Sequence, residues 1–189
     1  MPAPAIMLIR TASRLTLLAA AALATGGCAA LTDYGCKLHA TRVETLDQST
    51  HYRRVSSSSQ TDGRPLTRSF PAQAPIYRLT LTSEKVPPCT MLSVKKELVL
   101  ARLNDRSLIF KETRAFYAED GTLITTLVED LSAQLVDSGT YRATFPLPIP
   151  RTAPAGKYRI VSRLTLERAG ERRMLPLAQA EVRFQIVPR

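Results

Sequence analysis

Several stretches of this chain alternate apolar and polar residues with a period of two, a period that fits strands and not helices. In Thr140 to Pro150, residues Tyr141, Ala143, Phe145, Leu147 and Ile149 fall on one side. In Gly156 to Glu167, residues Tyr158, Ile160, Ser162, Leu164 and Leu166 share a side, and Lys157, Arg159, Arg163 and Thr165 share the other. Ala180, Val182, Phe184 and Ile186 repeat the pattern in Gln179 to Val187, as do Tyr77, Leu79 and Leu81 in Ile76 to Thr82. A sheet built this way buries one face and wets the other, as antiparallel sheets do.

The segments between these stretches complete the pattern. Leu92 to Leu103 and Ser107 to Ala118 are further strand candidates, the first broken in register around Lys95-Lys96. Glu119-Asp120-Gly121 supplies a hairpin turn, because Asp-Gly accepts positive φ, and Thr122 to Val128 is the return strand. Leu123, Leu127, Leu131 and Leu135 recur every four residues, which also suits a helix. We therefore expect a strand ending near Val128 and a short helical turn stopped before Gly139. Pro146, Pro148 and Pro150 cannot donate to a ladder, so their strand lies at an edge or leaves the sheet there. Arg168 to Glu171 reads as a turn, Ser56 to Ala74 as a Ser/Pro-rich linker, and Lys37 to Leu46 as an edge strand. About seven strands with closely spaced turns predict an all-β fold, an antiparallel sandwich. Pro154-Ala155-Gly156-Lys157-Tyr158 resembles the start of the penultimate strand of immunoglobulin-like domains. That resemblance implies a tyrosine corner, in which the Tyr158 hydroxyl bonds back to upstream backbone. The chain has no Trp, so the expectation is an immunoglobulin-like architecture and not the antibody family.

The N-terminus carries a different pattern. Arg10 and Arg14 are the only charges up to Cys28, and Leu15 to Ala24 is apolar apart from Thr16. That run is too short to cross a bilayer as a helix, which takes about 20 residues. Charge, apolar core and small residues follow one another as in an export signal, and Met7 offers a second possible start. Leu23-Ala24-Thr25-Gly26-Gly27-Cys28 resembles the lipobox of bacterial lipoprotein precursors, with Thr25 where that family usually has leucine. The resemblance covers the first 28 residues. It implies cleavage before Cys28, a diacylglyceryl group and an amide-linked acyl chain on Cys28, and, with Ala29 next, the outer membrane of a Gram-negative envelope. Several acyl chains anchor durably where one does not. The alternative is an ordinary secretory signal cleaved after Ala30.

This reading divides the chain into a signal peptide (1–27), a lipid-anchored arm and linker (28–74) and a β-sandwich domain (75–189). Without Arg10 and Arg14 the basic residues number 26 − 2 = 24 against 16 acidic, a balance of +8. An exported protein rarely meets nucleic acid, so anionic envelope components are the better match for that charge. With Cys28 acylated, Cys36 and Cys89 remain, an even pair in an oxidising compartment, and we expect them to be joined. Cys36-x-x-His39 is half of a metal motif with no second half, so neither metal nor cofactor is expected.

No catalytic set assembles. There is no Gly-x-Ser-x-Gly, and the two histidines, His39 and His51, lie outside the expected core. Glu119-Asp120 and Glu129-Asp130 are adjacent pairs, whereas acid–base work needs carboxylates facing across a cleft. If the last two long strands pair, Lys157, Arg159, Arg163 and Arg183 share an outer face, with Arg172 and Arg173 in the turn between. Such a strip could hold lipid A phosphates or peptidoglycan carboxylates; the alternative is a solvated sheet face with Glu167 and Glu181 interleaved. The expected function is therefore a non-catalytic binding or assembly module on the periplasmic side of the outer membrane. Its partners would be the membrane, through the anchor, and another envelope protein.

Overall fold

The structure, a computed structural model, describes residues 35–57, 64–171 and 173–188. The chain divides into two units between Thr45 and Leu46. In the first, residues 35–44 form a helix where an edge strand over Lys37 to Leu46 was expected. Leu, Ala, Arg, Lys and Glu in this stretch are good helix formers, and they decide its conformation. Cys36, on this helix, is disulfide-bonded to Cys89 as expected. Cys28 and Arg172 lie outside the described residues.

The second unit is the expected immunoglobulin-like β-sandwich, antiparallel in every strand pair but one, the short third strand (Lys85–Val86) lying parallel to the last. Its strands are β1 (Arg53–Ser56), β2 (Ala72–Leu81), β3 (Lys85–Val86), β4 (Thr90–Arg102), β5 (Leu108–Ala118), β6 (Leu123–Asp130), β7 (Gly139–Ile149), β8 (Gly156–Arg168) and β9 (Met174–Ile186). One sheet has the order β1-β7-β4-β2 and the other β3-β9-β8-β5-β6. Seven of the strands are the long ones expected from the sequence, four of them from alternation; β1 and β3 are short additions. The unit takes in residues from Leu46, upstream of the expected start at 75.

Turn chemistry sets the connections. Gly121 and Gly170, at φ +86° and +83°, close the β5–β6 and β8–β9 hairpins. After β6 the chain makes one helical turn, with Leu135 N donating to Leu131 O at 2.9 Å, and both leucines are buried. The Tyr158 hydroxyl donates to Pro154 O at 2.7 Å, forming the expected tyrosine corner. A second corner, not anticipated, has Tyr141 donating to Asp137 O at 2.7 Å with the same Gly-x-Tyr spacing. β4 is continuous, not broken at Lys95-Lys96: it pairs with β7 from Thr90 to Leu100 without a register shift.

The apolar core has two parts. Leu98, Leu100, Phe110, Tyr141, Leu164 and Leu166 belong to one, and Leu92, Val94, Phe116, Phe145, Ile160 and Phe184 to the other. On β4, β5 and β8 the change from one part to the other falls at Lys96, at Glu112 and Arg114, and at Ser162. A polar belt therefore crosses the middle of the sandwich.

A candidate binding groove

The belt is fully enclosed: Lys96, Glu112 and Arg114 are 2%, 0% and 1% exposed. Lys96 Nζ pairs with Glu112 Oε1 and donates to Thr50 Oγ1 at 2.9 Å. Glu112 also accepts from Tyr77, at 2.7 Å, and from Ser162. Arg114 Nη2 lies 2.8 Å from Glu129 Oε2 and donates to Gln48 O at 3.0 Å. Both cations lie over the Phe145 ring, at 4.7 Å for Lys96 and 4.3 Å for Arg114. Burial pushes the Lys96 amine down to about 8 against the pull of Glu112, and it lifts the Tyr52 and Tyr77 hydroxyls above their ordinary range. These buried groups were absent from the candidate sites read in the sequence.

The belt holds a strap. Thr50 N donates to Glu129 Oε1 at 2.8 Å, and Tyr52 N to Gln134 Oε1 at 2.6 Å. Residues 48–52 thus run along the opening between the two sheets and lead into β1, which pairs with β7 at 140–142 only. Beyond that pairing, β7 has β4 on one side and an open edge on the other. Cys89 N donates to Ile149 O, so Ile149 and the alternate residues 147, 145 and 143 turn their backbone toward β4. Thr144, Pro146 and Pro148 turn theirs outward, leaving the Thr144 N–H as the edge's one donor between 144 and 148. β7 itself lies between β1 and β4, so the edge expected from the prolines exists only beyond the β1 pairing, and the same prolines blunt it against an added strand.

Where the strap stops, at Gln48, an apolar groove of about 580 Å³ opens between the sheets. Phe116, Leu127, Leu147, Ile149, Phe184 and Ile186 line it, so it reaches the side chains of one core half. Ile124, at the β5–β6 register shift, stands exposed at its lip. The lining includes one charged side chain, Arg159, and no carboxylate, histidine or cysteine. A second hollow of about 440 Å³ adjoins the groove, sharing Ala118, Tyr158 and Arg159 with it and adding Glu119, Asp120, Gly121, Lys157 and Arg183.

The strands carrying the expected basic strip do pair. Arg159 stands opposite Arg183, Lys157 opposite Gln185 and Arg163 opposite Gln179. Acidic and polar partners interleave. Lys157 Nζ lies 3.1 Å from Glu119, and Arg163 Nε donates to Gln179 at 2.7 Å. Arg159 and Arg183 both reach Glu181, at 3.4 and 2.8 Å. Glu181 is held below the usual carboxylate range, first by its hydrogen bond from Arg183. Arg159 also stacks over Tyr117 at 4.3 Å. The face is therefore mixed, with a cation surplus where two guanidiniums share one carboxylate. Elsewhere His51 pairs with Asp47 at 2.9 Å, both side chains exposed. Among the described residues no cluster of three or more His, Cys, Asp or Glu is placed to hold a metal ion, and no helix is long and apolar enough to cross a membrane.

No family model matches this chain, and no curated protein matches it. Solved structures with some likeness include the C-terminal domain of wzt, at 8% identity and TM-score 0.43, covering 75% of this chain and 80% of that one. The CARDB domain of a Pyrococcus furiosus protein, in complex with di-metal ions, matches at 16% identity and TM-score 0.37, covering 65% and 99%. A family 123 glycoside hydrolase from Clostridium perfringens matches at 13% identity and TM-score 0.32, covering 56% and 22%.

Proposed function

We propose that this chain is an exported, non-catalytic binding module of the bacterial envelope, anchored through an acylated Cys28 at the periplasmic face of the outer membrane, and that the inter-sheet groove is its binding surface. The groove carries the reading. An apolar opening into a core is unfavourable to leave wet, and such concave, mostly apolar clefts are where ligands and partner segments seat. The anchor rests on the resemblance of Leu23 to Cys28 to a lipobox. The non-catalytic reading rests on the lining, which offers no base beside a nucleophile and no facing carboxylates. The groove is preferred to the basic sheet face because each of that face's four cations already has a partner: Lys157 has Glu119, Arg163 has Gln179, and Arg159 and Arg183 share Glu181.

The test is photocrosslinking in the cell envelope. Benzoylphenylalanine replaces Ile124 at the lip of the groove, or Arg106, an exposed control residue in the β4–β5 loop. The expected outcome is a saturable adduct of any chemical kind on the peptide containing position 124 and none at 106, in protein that leaves the membrane fraction when Cys28→Ser is added. Equal yields at both positions, or none at 124, would refute the groove.

A further inference from the structure

We propose that the groove binds a single-chain anionic amphiphile, its alkyl chain between the sheets and its acidic head at Arg159; this rests on the groove being the binding surface. Two observations select this occupant over a polypeptide strand. The first is the edge of β7. An incoming strand brings an amide and a carbonyl at every residue, and each must find a partner or be buried unsatisfied. Pro146 and Pro148 remove two of the three donors that edge could offer, and the groove floor is made of aromatic and aliphatic side chains. An alkyl chain requires no partners and gains from each methylene taken out of water.

The second observation is the distribution of charge at the mouth. Arg159 lines both the apolar groove and the adjoining polar hollow, so a molecule lying in the groove brings its end to this guanidinium. The two acids that line the hollow with it are already occupied: Glu119 pairs with Lys157, and Asp120 accepts from Thr122 N at 2.9 Å. Arg159 and Arg183 divide the single carboxylate of Glu181. A carboxylate or phosphate head would complete that set with charge-assisted hydrogen bonds, which an uncharged head could not. Gln48, whose carbonyl Arg114 holds, lines the groove as well, and Arg159 is the one charged side chain there to meet an acidic head.

The experiment uses the full chain in its membrane, with a diazirine-bearing palmitic acid, the matched diazirine alcohol, and peptide mapping after illumination. We expect the acid to label peptides from 116–127 and 147–158, with unlabelled palmitate competing. Arg159→Gln should raise the half-saturating concentration of the acid about tenfold, the loss of roughly one charge-assisted hydrogen bond, and leave that of the alcohol unchanged. Leu147→Trp and Leu127→Trp, which fill the groove, should abolish labelling by both probes. Labelling spread over the surface, or equal for acid and alcohol, or undiminished in folded Trp variants, would overturn the assignment. Should those variants fail to fold, the peptide map of the unaltered chain decides alone. Capture of a polypeptide by benzoylphenylalanine at position 124, with no fatty-acid label in the groove, would refute the amphiphile while the binding-surface reading stood. Loss of both signals would refute both.

Discussion

Lys96, Glu112 and Arg114 are the residues whose placement costs most, because removing a charge from water is repaid only by close, well-satisfied partners. Three groups converge on Glu112 Oε1, the Lys96 ammonium, the Tyr77 hydroxyl and the Ser162 hydroxyl, while Oε2 is buried with no hydrogen-bond partner among the described residues. Removing one member strands the others, so Lys96→Met and Glu112→Met should each destabilise by about 3–5 kcal/mol. The double variant should cost clearly less than their sum, since it leaves neither charge unpaired, and urea unfolding of the four proteins measures this. Burial also gives Lys96 a pH signature. Its amine sits at about 8 in the fold and at 10.5 as an ordinary lysine. Between those values the unfolded chain holds the extra proton, so Lys96's share of stability rises with pH across that window. Comparing unfolding at the two ends of the window should show a rise in the unaltered protein that Lys96→Met loses.

Among elements, β1 is the most dependent on its surroundings: four exposed residues held against β7. A methyl group on Gly139 would lie 2.4 Å from the Ser56 carbonyl oxygen and 2.6 Å from Arg54 Nε. Backbone cannot give way as a flexible side-chain end does, so Gly139→Ala should displace β1 at a cost of about 1–3 kcal/mol. Hydrogen exchange should quicken at the β1 amides while those of β4 stay protected. The same comparison of local and distant constraint explains what was legible in the sequence. Period-two runs gave β2, β7, β8 and β9, and Asp120-Gly121 gave its hairpin, because these signals are local. Strand parity also held information left unused: Glu112 and Arg114 share a side with Leu108, Phe110 and Phe116, and Lys96 with Val94 and Leu98. The broken register inferred at Lys95-Lys96 came from reading charge as exposure. The strap had no local signal, since its partners Glu129 and Gln134 lie 79 and 82 residues away. The groove was equally hidden, being the space between a β7 edge and a β6 edge that only the topology brings together.

Over the whole molecule, the groove and the strap share one side of the sandwich, and the disulfide closes the chain segment that includes that strap. Between Cys36 and Cys89 lie the strap, β1, β2 and β3, three of the nine strands, with β1 and β2 the two edges of one sheet. Joining the ends of so long a segment restricts the unfolded chain, worth about 4 kcal/mol on the chain-entropy account before native strain is counted. The folded sandwich has its own cover of buried contacts: Val94, Leu98, Phe110, Ile160 and Leu164 pack across the sheets whether or not the bridge is present. Reduction should therefore lower stability without dissolving the fold. In urea the midpoint of a Cys36→Ser, Cys89→Ser variant should fall by an amount equivalent to about 4 kcal/mol, with near-native far-ultraviolet dichroism in the absence of denaturant. The strap should respond more than the core, because its ties to the sandwich are the hydrogen bonds at Gln48, Thr50 and Tyr52 and one buried ring, Tyr52, whereas Leu98 and Leu164 lie within the main buried cluster. Exchange at the Thr50 and Tyr52 amides should accelerate beyond that at Leu98 and Leu164. Uniform acceleration across strap and core alike would instead show that the bridge stabilises the molecule only as a single cooperative unit.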